Sequence, residues 1–197
     1  MRKIEEFHVE FAETKKEKEK ESRFFTETFF DVFDSIKGAV IVVFLVFAFV
    51  FRVVGVDGDS MNPTLNNGDW LAVSGGIIKP ERGDIVVVTQ PWERNVPIIK
   101  RVIAIENDVV DIDFVNHLVY INGEVIDEPY ILEPTRLQYD MQFPLTVDEG
   151  CVFVMGDNRN DSLDSRSTQI GLVDERYILG KTLFRIYPFE KIEDYKQ

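Results

Sequence analysis

Ser60 and Lys100 are the two side chains whose surroundings suit nucleophilic chemistry without a histidine. Ser60 lies in GDSMNPTL (residues 58–65), which also fits an ordinary surface turn, because Gly, Asp, Ser, Asn and Pro all form turns. The histidines are His8, in a charged tail, and His117, at a predicted hairpin turn. A Ser-His-Asp triad therefore has no credible base, and lysine is the main alternative for activating a serine hydroxyl.

Lys100 is the candidate base. It lies in PIIKRVI (residues 97–103), where the two-residue period of a strand puts Ile98, Lys100 and Val102 on one face and Arg101 on the other. An amine between branched aliphatic side chains loses hydration, which favours the neutral form of a lysine whose ordinary pKa is about 10.4. The pattern equally fits a lysine that guards an edge strand against pairing, so the residues alone leave both interpretations open.

A dense polar loop, GDNRNDSLDSR (residues 156–166), directly follows the apolar sequence CVFVM. Its residue types predict Asx turns and pairs between carboxylates and guanidinium groups. A calcium loop fits poorly, because no glutamate stands at the twelfth position and the glycine is misplaced. A catalytic pair of aspartates, Asp157 and Asp164, is another interpretation, although nothing in the sequence indicates that the two carboxylates face each other.

The composition excludes several classes of function. The 197 residues carry 22 Lys and Arg against 35 Asp and Glu, a net charge of −13, whereas nucleic-acid binding needs clustered basic side chains. The single cysteine, Cys151, can form no intrachain disulfide, and two histidines add too few ligands for a Cys/His metal site. We therefore expect no metal and no cofactor, and no nucleic acid as a partner.

An apolar run in the first third of the chain predicts a membrane anchor. The uncharged residues 38–51 extend to about 20 residues when Ile36 and the sequence to Val56 are included, which is the length that crosses a bilayer. A buried core helix is one alternative; a cleavable signal fits less well, because the run begins late and no A-x-A-like site follows. The predicted organisation is a charged, amphipathic tail at 1–35, a transmembrane helix at 36–56 and an outer β-rich domain at 57–197.

The flanks of this run predict its orientation. Arg52 is the only basic residue after the run until Lys79, whereas four basic residues lie within about 20 positions before it: Lys18, Lys20, Arg23 and Lys37. Cytoplasmic flanks carry the excess of Lys and Arg. We therefore expect a single-pass protein of the cell membrane, with the lipid bilayer as a partner, the tail in the cytoplasm and residues 57–197 outside.

The sequence of the outer domain predicts a series of short strands. Apolar and β-branched runs predict strands at 83–88, 98–105, 151–157 and 181–189. The alternating sequence 109–126 predicts further strands, with turns near Asn116-His117 and at Asn122-Gly123. The expected fold class is mainly β: a compact β-barrel or sandwich-like domain on one N-terminal transmembrane helix.

The motifs SMNPTL, GDIVVV, KRVI and GDNRNDSLDSR, in this order behind one membrane segment, resemble those of the type I signal peptidases. The resemblance covers roughly residues 36–189, and the single anchor is similar to the Gram-positive branch. It implies a serine endopeptidase, with a fold related to the self-cleaving repressors, that removes signal peptides from exported preproteins through an acyl-enzyme. Substrates of this family carry small residues at the first and third positions before the cut.

The resemblance also implies roles for individual residues. Ser60 is the nucleophile and Lys100 its general base, and Gly58 stands where one branch has a serine that helps to bind the oxyanion. The backbone N–H of Ser60 is therefore expected to serve the oxyanion hole. The resemblance further implies that four residues hold the geometry of the site: Arg101, Asp157, Ser162 and Asp164. Ser162 stands at a position where some members of the family orient the lysine with a hydroxyl. A bound peptide is expected to lie along the strands before Ser60 and before Lys100, against Val56, Gly58, Met61, Ile98 and Ile99.

Two alternatives remain. A self-cleaving repressor shares Ser-Lys chemistry and a related β fold, but it needs a DNA-binding head, which the acidic tail and the membrane run disfavour. A catalytically silent, membrane-anchored peptide-binding β-domain is the alternative from another class. Cleavage of a preprotein, as opposed to binding without cleavage, discriminates between this domain and an enzyme.

Overall fold

The computed structural model describes residues 29–45, 51–76, 79–89 and 96–189. The chain divides into two units, Met1–Ala48 and Phe49–Gln197. In the first unit, residues 29–45 form a helix, α1, whose side chains are exposed; residues 1–28 of the predicted tail lie outside the described ranges. Within those ranges, no helix combines the length and the apolar character that crossing a membrane requires.

The structure differs from the predicted transmembrane helix at its carboxyl end. Residues 46–50 lie outside the described ranges, and Phe51–Gly55 forms a strand, β1, that pairs antiparallel with the strand β2, Trp70–Ser74. The β-branched Val53 and Val54 favour an extended backbone, and β2 supplies the hydrogen-bonding partners. The part of the prediction that placed residues 51–55 in a helix is therefore wrong.

The second unit is built from short strands, which confirms the mainly β class. After β1 and β2 these are β3 (Ile85–Val88), β4 (Ile98–Ala104), β5 (Val109–Asp113), β6 (Leu118–Ile121), β7 (Glu124–Val125), β8 (Leu145–Thr146), β9 (Cys151–Met155), β10 (Val173–Asp174) and β11 (Ile178–Tyr187), with a 3-10 helix at Glu175–Tyr177. In the described residues they form a seven-stranded sheet, in the order β1-β2-β11-β3-β4-β9-β10, and a four-stranded sheet, in the order β7-β6-β5-β8.

The strands predicted from apolar runs are confirmed in β3, β4, β9 and β11, and the alternating sequence forms β5, β6 and β7. Its two turns are also confirmed: His117 and the pair Asn122-Gly123 have positive φ angles of 61°, 54° and 84°. The strands β1, β2, β8 and β10 were not predicted. β8 and β10 have two residues each, which is too short for any periodicity to show.

The burial of Lys100 decides between its two interpretations, because a lysine that guards a strand edge keeps its charged group in solvent. β4 lies between β3 and β9, with Lys100 opposite Val86 and Arg101 opposite both Ile85 and Met155. Lys100 is 4% exposed. The interpretation of this lysine as the guard of an exposed edge strand is therefore wrong, and its burial needs another explanation.

Candidate active site

Ser60 and Lys100 meet although 40 positions separate them in the chain. Lys100 projects from β4, and its Nζ lies 2.7 Å from Ser60 Oγ. The same Nζ donates a hydrogen bond to the carbonyl of Ile99 at 2.9 Å. A neutral amine that donates one N–H to this carbonyl keeps its lone pair, and a lone pair facing Ser60 can accept the hydroxyl proton.

The surroundings of Lys100 favour its neutral form. Burial lowers the pKa of Lys100 to about 8, against the opposing effect of the carboxylates of Asp164 and Asp157, while Arg166 lowers it further. Loss of hydration penalises the ammonium, and this effect outweighs the attraction of the two carboxylates. About a tenth of Lys100 is therefore an unprotonated base at pH 7, and about half at pH 8.

The Ser60 turn is held by packing on one side. Met61 and Leu65 are buried in an apolar cluster with Val56 and Ile99, and Leu65 N donates to Met61 O at 2.9 Å. Gly58, just before the serine, has a φ of +94°, a conformation that favours glycine. Ser60 thus stands on a turn whose neighbouring side chains are fixed in the core.

A buried ion pair ties the Ser60 turn to β4. Arg101 donates from Nε and Nη2 to the two carboxylate oxygens of Asp157 at 2.8 and 2.6 Å, and both side chains are buried. Thr64 Oγ1, from the Ser60 turn, donates to the same carboxylate at 2.5 Å. The strand that carries the lysine and the turn that carries the serine are therefore joined through Asp157.

A second buried ion pair organises the loop after β9. Arg166 donates from Nε and Nη2 to Asp164 at 2.8 and 2.9 Å, and Asp164 also accepts from the Ser162 hydroxyl at 2.8 Å and from Gly156 N at 3.0 Å. Within the described ranges, no hydrogen bond joins Ser162 to Lys100. The resemblance implies that the Ser162 hydroxyl orients the lysine, but in the structure this hydroxyl donates to Asp164 instead.

Gly156 packs directly against the backbone of Ser60 and the side chain of Ser162. A Cβ added at this position would come closer than 3.0 Å to the Ser60 carbonyl oxygen and to the Cβ and Oγ of Ser162. Glycine is the residue that permits such a backbone approach. The absence of a side chain at position 156 is therefore a condition for the observed place of Ser60.

Arg159 is a residue of this region that the sequence analysis did not identify. It is fully buried, donates from Nε to Gly156 O at 3.1 Å, and binds Glu128 through Nη1 and Nη2 at 3.0 and 2.6 Å. Thr135 accepts from Nη1 at 2.9 Å. The polar composition of the loop indicated that arginine–carboxylate pairs would form, but no pattern links Arg159 to a glutamate 31 positions away.

The five predicted peptide-binding residues are spread over different environments. Val56, Met61 and Ile99 lie buried in one apolar cluster, Ile98 is half-buried beside another, and Gly58 is exposed. Among the strands that the structure describes, β9 pairs with β4 only from Arg101 onward, so residues 98–100 of β4 have a paired strand, β3, on one side only. β1 is an edge of the seven-stranded sheet. Two segments, the edge β1 and residues 98–100 of β4, therefore carry backbone groups suitable for pairing with an extended peptide.

The donors and carboxylates of the site limit its chemistry. In the described part of the chain, the amide of Ser60 makes no hydrogen bond, so it is available to a ligand. Asp157 and Asp164 are each bound by an arginine of their own, which leaves neither carboxylate to share a proton with the other. The described ranges contain no cluster of His, Cys, Asp and Glu side chains that could hold a metal ion. The geometry supports attack by the Ser60 hydroxyl with Lys100 as base, and gives no support to an aspartate pair.

Comparison with known proteins adds an independent finding. The family model described as "Signal peptidase, peptidase S26" matches residues 29–187. Signal peptidase I of Bacillus licheniformis and signal peptidase I S of Bacillus subtilis strain 168 are each 38% identical over 165 residues, which cover 78% of this chain and 86% of the relative. A crystal structure of a signal peptidase I from Enterococcus faecalis V583 covers 54% of this chain and 98% of its own, at 32% identity and a TM-score of 0.44.

Proposed function

Because this chain belongs to the signal peptidase family, peptidase S26, whose members are serine endopeptidases, we propose that it cleaves N-terminal signal peptides from exported preproteins with a Ser60-Lys100 dyad. The observation that carries the proposal is the 2.7 Å distance between Ser60 Oγ and the buried Lys100 Nζ. A serine hydroxyl is a weak nucleophile until a base accepts its proton, and this lysine is the base within reach.

The proposed reaction begins with acylation. Neutral Lys100 accepts the Ser60 proton while Oγ attacks the scissile carbonyl carbon, which forms a tetrahedral intermediate with a negatively charged oxygen. The Ser60 N–H donates to this oxygen. As the intermediate collapses, the C–N bond breaks, the ammonium of Lys100 returns a proton to the leaving amine, and the mature protein departs with a free amino terminus.

Deacylation uses the same groups. The signal peptide is then an ester of Ser60, and Lys100 is neutral again. It accepts a proton from a water molecule that attacks the ester carbonyl and forms the second tetrahedral intermediate. As this intermediate collapses, the C–Oγ bond breaks and the Lys100 ammonium returns its proton to Ser60 Oγ, while the signal peptide leaves as a carboxylic acid that loses its proton to solvent. Arg166, which binds Asp164, lowers the pKa of Lys100 and so partly offsets the effect of the two carboxylates.

The signal peptide is proposed to bind mainly through hydrogen bonds between its main chain and the main chain of this protein. The edge β1 and residues 98–100 of β4 offer main-chain groups to an extended signal peptide, and pairing of this kind is independent of the peptide's side chains. Selection then comes from the space against Val56, Gly58, Met61, Ile98 and Ile99, where large side chains at the first and third positions before the cut would clash.

The test of this function is incubation of the purified full-length protein, in detergent, with a preprotein whose signal peptide ends in small residues. We expect two fragments, and sequencing of the larger one should place the cut directly after the small residue. The Ser60→Ala variant is the control. Binding of the preprotein by both proteins without cleavage by either would favour a silent peptide-binding domain.

The apolar segment that precedes β1 is proposed to anchor the enzyme in the membrane. The apolar side chains of α1 are exposed, among them Val40, Ile41 and Phe44, and lipid is the environment that suits a large exposed apolar surface. With the basic flank on the amino side, residues 57–197 are expected outside the cell membrane. Membrane fractionation and protease accessibility of whole cells should find these residues in the membrane fraction and digestible from outside. A full-length protein soluble without detergent would contradict the anchor.

Activity is expected to rise with pH through the pKa of Lys100, about 8. The base must be neutral, so below that pKa kcat/KM should fall by about tenfold per pH unit, whereas above pH ~9 it should level off. Ile98→Thr should move the rising limb to higher pH because better hydration stabilises the ammonium, and Ile98→Val is the matched control that leaves it in place. A profile with its maximum near pH 4–5, the ordinary range of carboxyl groups, would contradict the dyad and favour Asp157 and Asp164.

A further inference from the structure

Asn158 binds the two carbonyl oxygens that flank the Cα of the candidate nucleophile. Its side-chain Nδ2 donates to the carbonyl of Asp59 at 3.1 Å, and its backbone N–H donates to the carbonyl of Ser60 at 3.1 Å. One residue of the loop after β9 therefore holds both peptide units adjoining Ser60. Neither the resemblance nor the ion pairs of Asp157 and Asp164 assign it a role.

The hydrogen bond from Asn158 to the Asp59 carbonyl also determines the direction of the Ser60 N–H. The Asp59 C=O and the Ser60 N–H belong to one planar, trans peptide unit, in which the two bonds point in opposite directions. Fixing the oxygen on Asn158 therefore fixes the direction of the Ser60 N–H. Within the described residues this N–H has no partner of its own. The Asp59 oxygen accepts one other hydrogen bond, from Asn62 N of the same turn at 3.1 Å, so Asn158 adds a donor from outside the turn to the one within it.

We propose that Asn158 is a positioning residue for the oxyanion hole: its side-chain amide orients the Ser60 N–H toward the charge that develops in the transition state. The proposal rests on the function proposed above, because it requires Ser60 to be the nucleophile. Gly58 provides no side-chain donor before the serine. A hole that relies on backbone N–H groups depends on how firmly each is oriented, since preorganised donors cost no rearrangement during the reaction.

Asn158→Ala removes the donor to Asp59 and keeps the backbone N–H that binds Ser60. Loss of a whole oxyanion donor costs about 10²–10³-fold in kcat, so loosening one is expected to lower kcat by about 10–100-fold. KM should stay within about twofold, because the interaction strengthens only in the transition state. Asn160→Ala is the matched control: Asn160 lies in the same loop, but its amide binds the Glu133 side chain and the backbone of residues 134, 136 and 137.

A pair of ligands separates orientation of the hole from general loosening of the site. Ser60 Oγ adds to the carbonyl carbon of a peptide aldehyde ending in alaninal: the C=O π bond opens, Lys100 accepts the hydroxyl proton, and the hemiacetal oxygen then occupies the hole. The corresponding carboxylate peptide forms no such bond. We expect Asn158→Ala to weaken binding of the aldehyde by the same factor as kcat and to leave binding of the carboxylate peptide unchanged, which also shows that the variant is folded.

Three results would overturn the proposal. The first is a raised KM at unchanged kcat, and the second is undiminished binding of the aldehyde by Asn158→Ala. The third is an equal loss of activity in Asn160→Ala, which would assign the effect to the loop as a whole. A wild-type protein that neither cleaves preprotein nor prefers the aldehyde over the carboxylate peptide would instead refute the nucleophile assignment itself, and the role of Asn158 with it.

Discussion

Replacing Ser60 or Lys100 by alanine should lower the rate of signal-peptide cleavage by about 10⁴-fold or more. The serine supplies the attacking oxygen and the lysine removes its proton, so each change disables the same step. The double variant should be no slower than either single variant, because residues that act as one unit are not additive. Ser60→Cys should retain some activity, since a thiolate partly replaces the activated hydroxyl.

The measurement is single-turnover cleavage of one preprotein by each variant at about pH 9, where Lys100 of the wild type is largely neutral. Lys79→Ala is the control, because Lys79 is an exposed lysine of the same unit, and its activity should stay within about twofold of wild type. Appreciable turnover by Lys100→Ala would mean that another group is the base. It would also require Asp157 and Asp164 to be reconsidered, in spite of their arginine partners.

Gly156→Ala should lower kcat by about 10²–10³-fold, because the added methyl group occupies space that the Ser60 carbonyl and Ser162 already fill. The Ser60 oxygen belongs to the backbone and has no alternative rotamer, so the Ser60 turn must move away from the loop. A displacement of about 1 Å at a reacting group costs about 100-fold in rate. Gly38→Ala is the control, since an added Cβ at that position meets nothing within 4 Å.

The companion variant Gly156→Ala/Ser162→Gly separates the two clashes. It removes the Cβ and hydroxyl of Ser162 but leaves the clash with the Ser60 carbonyl. We expect it to regain thermal stability relative to Gly156→Ala without regaining activity, measured by circular dichroism melting and by kcat. A kcat of Gly156→Ala close to that of wild type would show that Ser60 keeps its place despite the methyl group.

The chemistry of the site was predictable where it depends on residue types that are close in sequence. The two-residue period around Lys100 predicted burial between aliphatic neighbours, and burial is the main cause of its lowered pKa. The resemblance then paired this lysine with Ser60, which the fold brings to 2.7 Å. The sequence alone left open whether Lys100 guards an edge, because strand order depends on pairings between distant segments.

Other features were not accessible from the sequence. The apolar run to Val56 contains many β-branched residues, which occur in membrane helices and in strands alike, so hydropathy did not locate the start of β1. The Glu128–Arg159 pair and the hydrogen bond from Asn158 to Asp59 join segments far apart in the chain. Such contacts follow from the packing of the loop after β9 against its neighbours, and no local pattern encodes them.

The lowered pKa of Lys100 also makes the free energy of unfolding depend on pH, in the same pH range in which the base becomes active. In the unfolded chain Lys100 keeps its proton up to a pKa of 10.5, whereas in the folded protein it loses that proton near pH 8. Between these two values the unfolded state binds more protons, so the free energy of unfolding rises with pH across this window, by on the order of 3 kcal/mol in total. Below pH 8 the folded protein bears the full cost of a buried ammonium. Loss of the Lys100 proton therefore both makes the base active and increases the free energy of unfolding. The folded protein with protonated Lys100 is less stable than the folded protein with neutral Lys100.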